Sequence, residues 1–393
     1  MPLPLIALFV AAFAFGTTEF VIAGILPQVA EGLGVSVPAA GYLVTGYALG
    51  IAIGGPLLTV ATTTVSRRTL LIALALVFTA GQVACALAPG FASMLMVRVA
   101  VAVAHGVFFG VAMVVAVGLV SEDRRGMAVA FVLAGLTVSN IVGVPAGAAI
   151  GNLFGWRATF WAMFALGIVA TAAMIALLPR NRSGNAPAPA NLAGEVRVLG
   201  RQQVWTSLIL MLLLMIGQFV PYTYIAPLLQ EVTGLSAATV PWVLLLNGIG
   251  ATLGVFVGGR LAGWRLMPSL IALLAAQSAV LVAMYLSSEN PLPMVAVIVV
   301  WGTVNFAIGT PIQTRILTWT ADAPNLASSL IPSGFNVGIA LAASIGATLL
   351  SAGFGYRSLP VLGIFAMLVA AGVAAASHAA ERRSGAKPPL LRG

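Results

Sequence analysis

A carboxylic acid, Glu19, interrupts an otherwise apolar run from Leu3 to Leu26, in the stretch FGTTEFVIAGILPQ that begins at Phe15. A second apolar stretch, RVAVAVAHGVFFGVAMVV, opens on Arg98 and carries His105 seven residues further on. An ionised group is costly to bury alone, so such a carboxyl group must be neutral, paired or lined with water. Burial favours the neutral acid, whereas a neighbouring guanidinium favours the carboxylate. A group held between these pulls can exchange a proton when its exposure or its partner changes. Two readings stand for Glu19: it takes up and releases a proton in a working cycle, or it forms a static pair with Arg98 that fixes helix packing. His105 either joins that chemistry or is a hydrogen-bonded packing residue beside Gly106.

The elements that hold these groups are apolar helices. The chain has 393 residues, of which 61% are hydrophobic and only 7% charged, and its mean hydropathy is +1.09. That is too little charge to cover a water-soluble surface. Runs of about 20 apolar residues, each able to cross a hydrocarbon core of about 30 Å, recur from end to end. The pattern predicts an all-α integral membrane protein with twelve spans, at 4–27, 39–61, 69–88, 92–118, 127–151, 158–178, 204–229, 239–259, 268–287, 292–316, 327–351 and 358–377. The first run lacks a basic leader and is followed by many like it, so it reads as a span and not a cleaved signal.

The composition excludes several function classes. Cys85 is the only cysteine, which rules out an internal disulfide and argues against a thiolate metal cluster. The basic residues sit in short turns between apolar runs, a distribution unlike a nucleic-acid groove. No phosphate loop, nucleophile elbow or soluble catalytic domain is present in the sequence, so neither an enzyme nor a bound cofactor is expected.

Orientation follows from the arginines and lysines. One set of connections, with the tail, holds 15 of the 18 basic residues, including Arg67, Arg68, Arg124, Arg125 and Arg315, and the opposite set holds only Arg157 and Arg357. The positive-inside rule then places both termini in the cytoplasm. Glu19 lies about 12 Å, and Arg98 about 10 Å, below the same outer edge at 1.5 Å per residue. His105 falls on the Arg98 face, nearer the midplane.

The polar stretch PRNRSGNAPAPANLAGEVRVLGRQQ, residues 179–203, reads as a flexible linker between six-span halves at 1–178 and 204–377, with a tail at 378–393. Short matches support an internal repeat: FGWR at 154–157 and FGYR at 354–357, Pro27 and Pro227, and GGPL from Gly54 with GGRL from Gly258. Repeated halves are a transporter design, in which rocking of one half against the other exposes a midplane site to each side in turn. Asn140, Gln218, Tyr222, Tyr224, Asn247, Asn305, Gln313 and Asn336 supply amides and aromatic rings within the spans. With no further buried acid, they suit a neutral or mildly amphipathic small molecule, although for each residue taken alone hydrogen bonding between helices is the favoured role.

Three stretches carry a family resemblance. GTTEFVIAGILPQVAEGLGVSVPAAG (16–41), RVAVAVAHGVFFGVAMVV (98–115) and LTVSNIVGVPAGAAIGNLFGWRATFW (136–161) resemble the major facilitator superfamily, in particular its drug:proton antiporters related to arabinose-efflux-permease-like proteins, sugar-efflux proteins and chloramphenicol exporters. In the third stretch, Gly143, Pro145, Gly147 and Gly151 match a glycine–proline antiporter motif. The resemblance implies proton-coupled efflux by one chain in a bacterial inner membrane. Glu19, Arg98 and His105 would handle the proton, and Arg67, Arg68, Arg124 and Arg125 would form a cytoplasmic gate. Two departures stand out. Thr63 replaces the acid expected before the Arg67–Arg68 pair, and Val101 and Ala102 replace the polar residue and glycine expected after Arg98.

Overall fold

The computed structural model describes residues 2–180 and 196–385, so 181–195 of the expected linker and 386–393 of the expected tail lie outside the described residues. Twelve helices among the described residues are long and apolar enough to cross a membrane. Spans one to six are Leu3–Gly24, Val37–Ala61, Arg67–Ala86, Phe91–Gly118, Glu122–Phe154 and Trp156–Leu177. Spans seven to twelve are Gln202–Thr223, Val240–Trp264, Leu266–Ser287, Pro291–Trp319, Leu330–Ser351 and Ser358–Ser384. The helical state satisfies backbone polar groups internally, as a hydrocarbon environment demands.

The chain forms two compact units, Met1–Ala188 with Ser236–Leu245, and Pro189–Leu235 with Leu246–Gly393. In the first, an aromatic knot joins spans one, three and four: the Phe15 ring centroid lies 4.6 Å from Phe78 and 4.8 Å from Phe108. Close helix contacts are made through small residues. A Cβ on Gly55 would stand 3.0 Å from the Gly106 Cα, bringing spans two and four backbone to backbone. The second unit repeats this contact, since Cβ atoms on Gly250, Gly254 and Gly258 of span eight would overlap backbone carbonyls of Val299, Thr303 and Ala307 in span ten. Without a hydrophobic drive between helices in lipid, such close approach supplies the packing energy.

The FGWR and FGYR turns also do matching work in their own units. Arg157 stacks over Trp156 at 4.2 Å and donates to the Ala88 carbonyl beyond span three. Arg357 stacks over Tyr285 at 4.8 Å and pairs with Glu289 beyond span nine. Burial, reinforced by the Glu231 carboxylate, pushes the neighbouring Tyr356 phenol up to about 12.

Three sequence expectations need correction. Residues 196–200 of the expected linker form a short 3-10 helix, with Val198 packed against Val204, Trp319 and Ala323. The last helix runs on through Ser384, so residues 378–384 of the expected tail are helical. Arg315, read as a loop residue, is 1% exposed inside the helix Pro291–Trp319. The last two corrections share a cause: Arg315 binds Ser377 and Glu381 of span twelve, which keeps that helix wound.

Candidate functional site

Spans one, two and four of the first unit bring four side chains together. Glu19 Oε2 lies 3.8 Å from His105 Nε2, with side-chain exposures of only 12% and 5%. His105 Nδ1 is 3.0 Å from the Tyr47 hydroxyl. The Arg98 guanidinium sits over the Tyr47 ring, 4.7 Å from its centroid. Its Nε donates to the Leu43 carbonyl at 3.3 Å and its Nη1 to the Thr18 carbonyl at 3.5 Å. Arg98 thus shares the neighbourhood of Glu19, while the side chain that faces the carboxyl group, at 3.8 Å, is the imidazole of His105. Phe15 and Phe109 rings, each 5.2 Å from the imidazole, wall the cluster.

Tyr47 is the member that sequence reasoning missed. Its signal was faint: a tyrosine among glycines in GYALGIAIGG, where Gly46, Gly50 and Gly54 let span two lie close against Leu95, Ala102 and Val103 of span four.

The local backbone explains how the helices fit. Span two contains a π-helical turn at Gly50–Gly54 and span five another at Ser139–Gly143. Each is followed at once by a proline, Pro56 or Pro145, in the first turn of the next helical segment. A proline ring crowds the carbonyl four residues back and donates no hydrogen bond, and a π turn accommodates that defect. The glycines that close and follow the second π turn form the face that rests on span one. Cβ atoms on Gly143, Gly147 and Gly151 would stand 2.0 Å from Thr17 Oγ1, 2.6 Å from Val21 Cγ2 and 2.7 Å from Ile25 Cγ2. The glycine–proline motif therefore packs directly against the helix that carries Glu19.

Gly143→Val tests this contact. Thr17 is fully buried and its hydroxyl is tied to the Phe13 carbonyl at 2.7 Å, so it cannot yield. Overpacking of this kind costs about 1–3 kcal/mol. Heating in detergent with a thiol-reactive dye should expose the buried Cys85 at a lower temperature than in the wild type. Gly110→Val, with nothing within 4 Å of the added Cβ, should leave the transition in place.

Asn140 lies in the span-five π turn and donates to the Leu136 carbonyl. In the second unit, Tyr224 is fully buried and donates to the Ala343 carbonyl at 2.9 Å, a packing bond between helices. Asn247 donates to the Ile298 carbonyl at 3.0 Å, and Asn336 to the Pro332 carbonyl of its own helix. Gln218 is buried and Gln313 exposed. The Tyr222 and Trp301 rings lie 6.0 Å apart. Trp301 Nε1, Asn305 Oδ1 and Asn336 Oδ1 are buried without a hydrogen-bond partner among the described residues. Trp301, one turn before Asn305 on span ten, was not singled out from the sequence. Of the expected gate arginines, Arg68 donates to the Leu178 and Ile175 carbonyls at the end of span six, while Arg124 and Arg125 pair with Asp123 and Glu122. Arg67 is the first residue of span three.

Residues 8–318 match the family model described as Major Facilitator Superfamily. The chain is 38% identical over 360 residues to the inner membrane transport protein YdhP of Escherichia coli K12, covering 92% of each chain. It is 34% identical over 354 residues to a chloramphenicol resistance protein of Streptomyces lividans, covering 89% of this chain and 90% of that one. Among solved structures, a bacterial homologue of the human lysosomal transporter Spinster shares the fold, with a TM-score of 0.77 at 17% identity over 94% of this chain and 95% of that one. The chain belongs to the major facilitator superfamily, and is a multi-pass membrane transporter and not an enzyme.

Proposed function

We propose that this transporter exports small, neutral or amphipathic molecules from a bacterial cytoplasm across the inner membrane, driven by inward proton movement. The observation that carries the reading is the Glu19 cluster: a carboxyl group at membrane depth faces a neutral-capable imidazole, with a guanidinium close by. Glu19 is the proton carrier, and its protonation state is linked to alternating access by the packing of span one on the Gly143–Gly151 face of span five. Both termini face the cytoplasm, where Arg67, Arg68, Arg124 and Arg125 form the gate region. The chain works as a single subunit, since its two repeated units make up a complete transporter.

The unpaired polar atoms of Trp301, Asn305 and Asn336 support a substrate that supplies a few hydrogen bonds within an apolar frame. Gln218, Tyr222, Asn140 and Gln313 are further contacts to test. Similarity to a chloramphenicol resistance protein makes chloramphenicol the first compound to try. In everted membrane vesicles, radiolabelled chloramphenicol should accumulate on energisation and leave when the proton gradient is collapsed. Accumulation of a sugar or nucleoside in its place would make metabolite export the function. Accumulation only in right-side-out vesicles would make the protein an importer and overturn the reading.

A further inference from the structure

We infer that Tyr47 locks the tautomer of His105, its hydroxyl donating to Nδ1, so that the imidazole carries its proton on Nε2 and presents that N–H to Glu19. This rests on the reading of Glu19 as the proton carrier and assigns His105 a different job: it keeps a fixed N–H edge turned to the carboxyl group, 3.8 Å away, and is not a second carrier.

The inference follows from hydrogen-bond accounting in a closed space. Tyr47 is 2% and His105 4% exposed. A buried phenolic O–H without an acceptor is costly, and the acceptor within reach is His105 Nδ1 at 3.0 Å. A neutral imidazole has one N–H and one bare nitrogen. If Nδ1 held the proton, the Tyr47 O–H would lose its acceptor and a bare Nε2 would face the Glu19 carboxylate. A doubly protonated ring would cost Tyr47 its acceptor too, and would add a second positive charge near Arg98. The Nε2–H tautomer alone satisfies both neighbours. The titratable groups around the ring are Glu19 from span one, Tyr47 from span two and Arg98 from span four. Cys85 of span three is a free, buried thiol in the same unit. Arg98 completes the chain by holding the Tyr47 ring beneath its guanidinium. Tyr47 is thus a positioning residue that acts on Glu19 through His105.

The chain has two histidines, so a His378→Gln variant leaves His105 as the only imidazole. With 15N-labelled histidine in lipid bilayers, solid-state NMR distinguishes the two neutral tautomers and the imidazolium. The expected spectrum is a single Nε2–H tautomer, with no imidazolium across the pH range in which the protein stays folded. In Tyr47→Phe, the Nδ1–H form and the imidazolium should appear. An Nδ1–H wild type overturns the lock, whatever the variant does, and so does a Tyr47→Phe spectrum identical to the wild type. The readout needs no transport. A Tyr47-dependent tautomer in a protein whose Glu19→Gln variant still pumps uphill would therefore sustain the lock and reject Glu19 as carrier.

Discussion

Glu19→Gln should abolish uphill export while leaving downhill movement of the same compound intact. Glutamine keeps the volume of the side chain and an amide oxygen facing His105, so packing among Phe15, Phe108 and Phe109 is preserved. It cannot exchange a proton, so the cycle loses its driving ion. One elementary charge moved through 100 mV supplies about 2.3 kcal/mol, enough to sustain a concentration ratio of about 50. In energised everted vesicles the wild type should build a gradient of that order, and the variant should reach a ratio of about one at unchanged expression. A variant that still concentrates substrate would show that another group, or another ion, drives the cycle.

The second large effect concerns stability. Arg315 is 1% exposed and reaches Ser207 Oγ at 2.9 Å, Ser377 Oγ at 2.8 Å and Glu381 Oε1 at 2.5 Å, with Met267 and Thr206 as further partners. These residues come from spans seven, nine, ten and twelve, so one guanidinium ties four helices of the second unit. Removing one member of a buried ion pair strands the other charge and costs about 3–5 kcal/mol. Glu381→Leu should therefore lower the thermal unfolding temperature sharply, followed by circular dichroism in detergent. The double variant Arg315→Met with Glu381→Leu should recover most of the loss, since neither charge is then left alone. Equal loss in the single and double variants would locate the stability in the hydroxyl contacts and not in the pair.

Hydropathy made the twelve spans legible, because the bilayer sets the length of each run and leaves little freedom in where it lies. The Glu19, Arg98 and His105 cluster was legible for a related reason: an ionisable residue in an apolar run is conspicuous, and helical rise alone puts Glu19 and Arg98 at similar depth. Arg315 and Glu381 were missed because they lie near run ends, where a loop and a buried helix terminus have the same composition. The telling sign is spacing, since Ser377 and Glu381 share a face one turn apart. Tyr47 was missed because an aromatic residue in a membrane helix is ordinary. Only the approach of span two to span four, through Gly50 and Gly55, gives its hydroxyl a partner. Likewise the Asn247 and Tyr224 side chains proved to be spent on carbonyls of neighbouring helices, a distinction that a list of polar residues does not contain.

The central claim is that the proton moved in each cycle travels on Glu19. It is tested most directly in proteoliposomes containing a trapped pH-sensitive dye, with an exported compound supplied down its own gradient and the membrane potential clamped. The wild type should move protons opposite to substrate, and Glu19→Gln should move substrate with no proton flux. Equal proton flux in both proteins, or none in the wild type, would contradict the account.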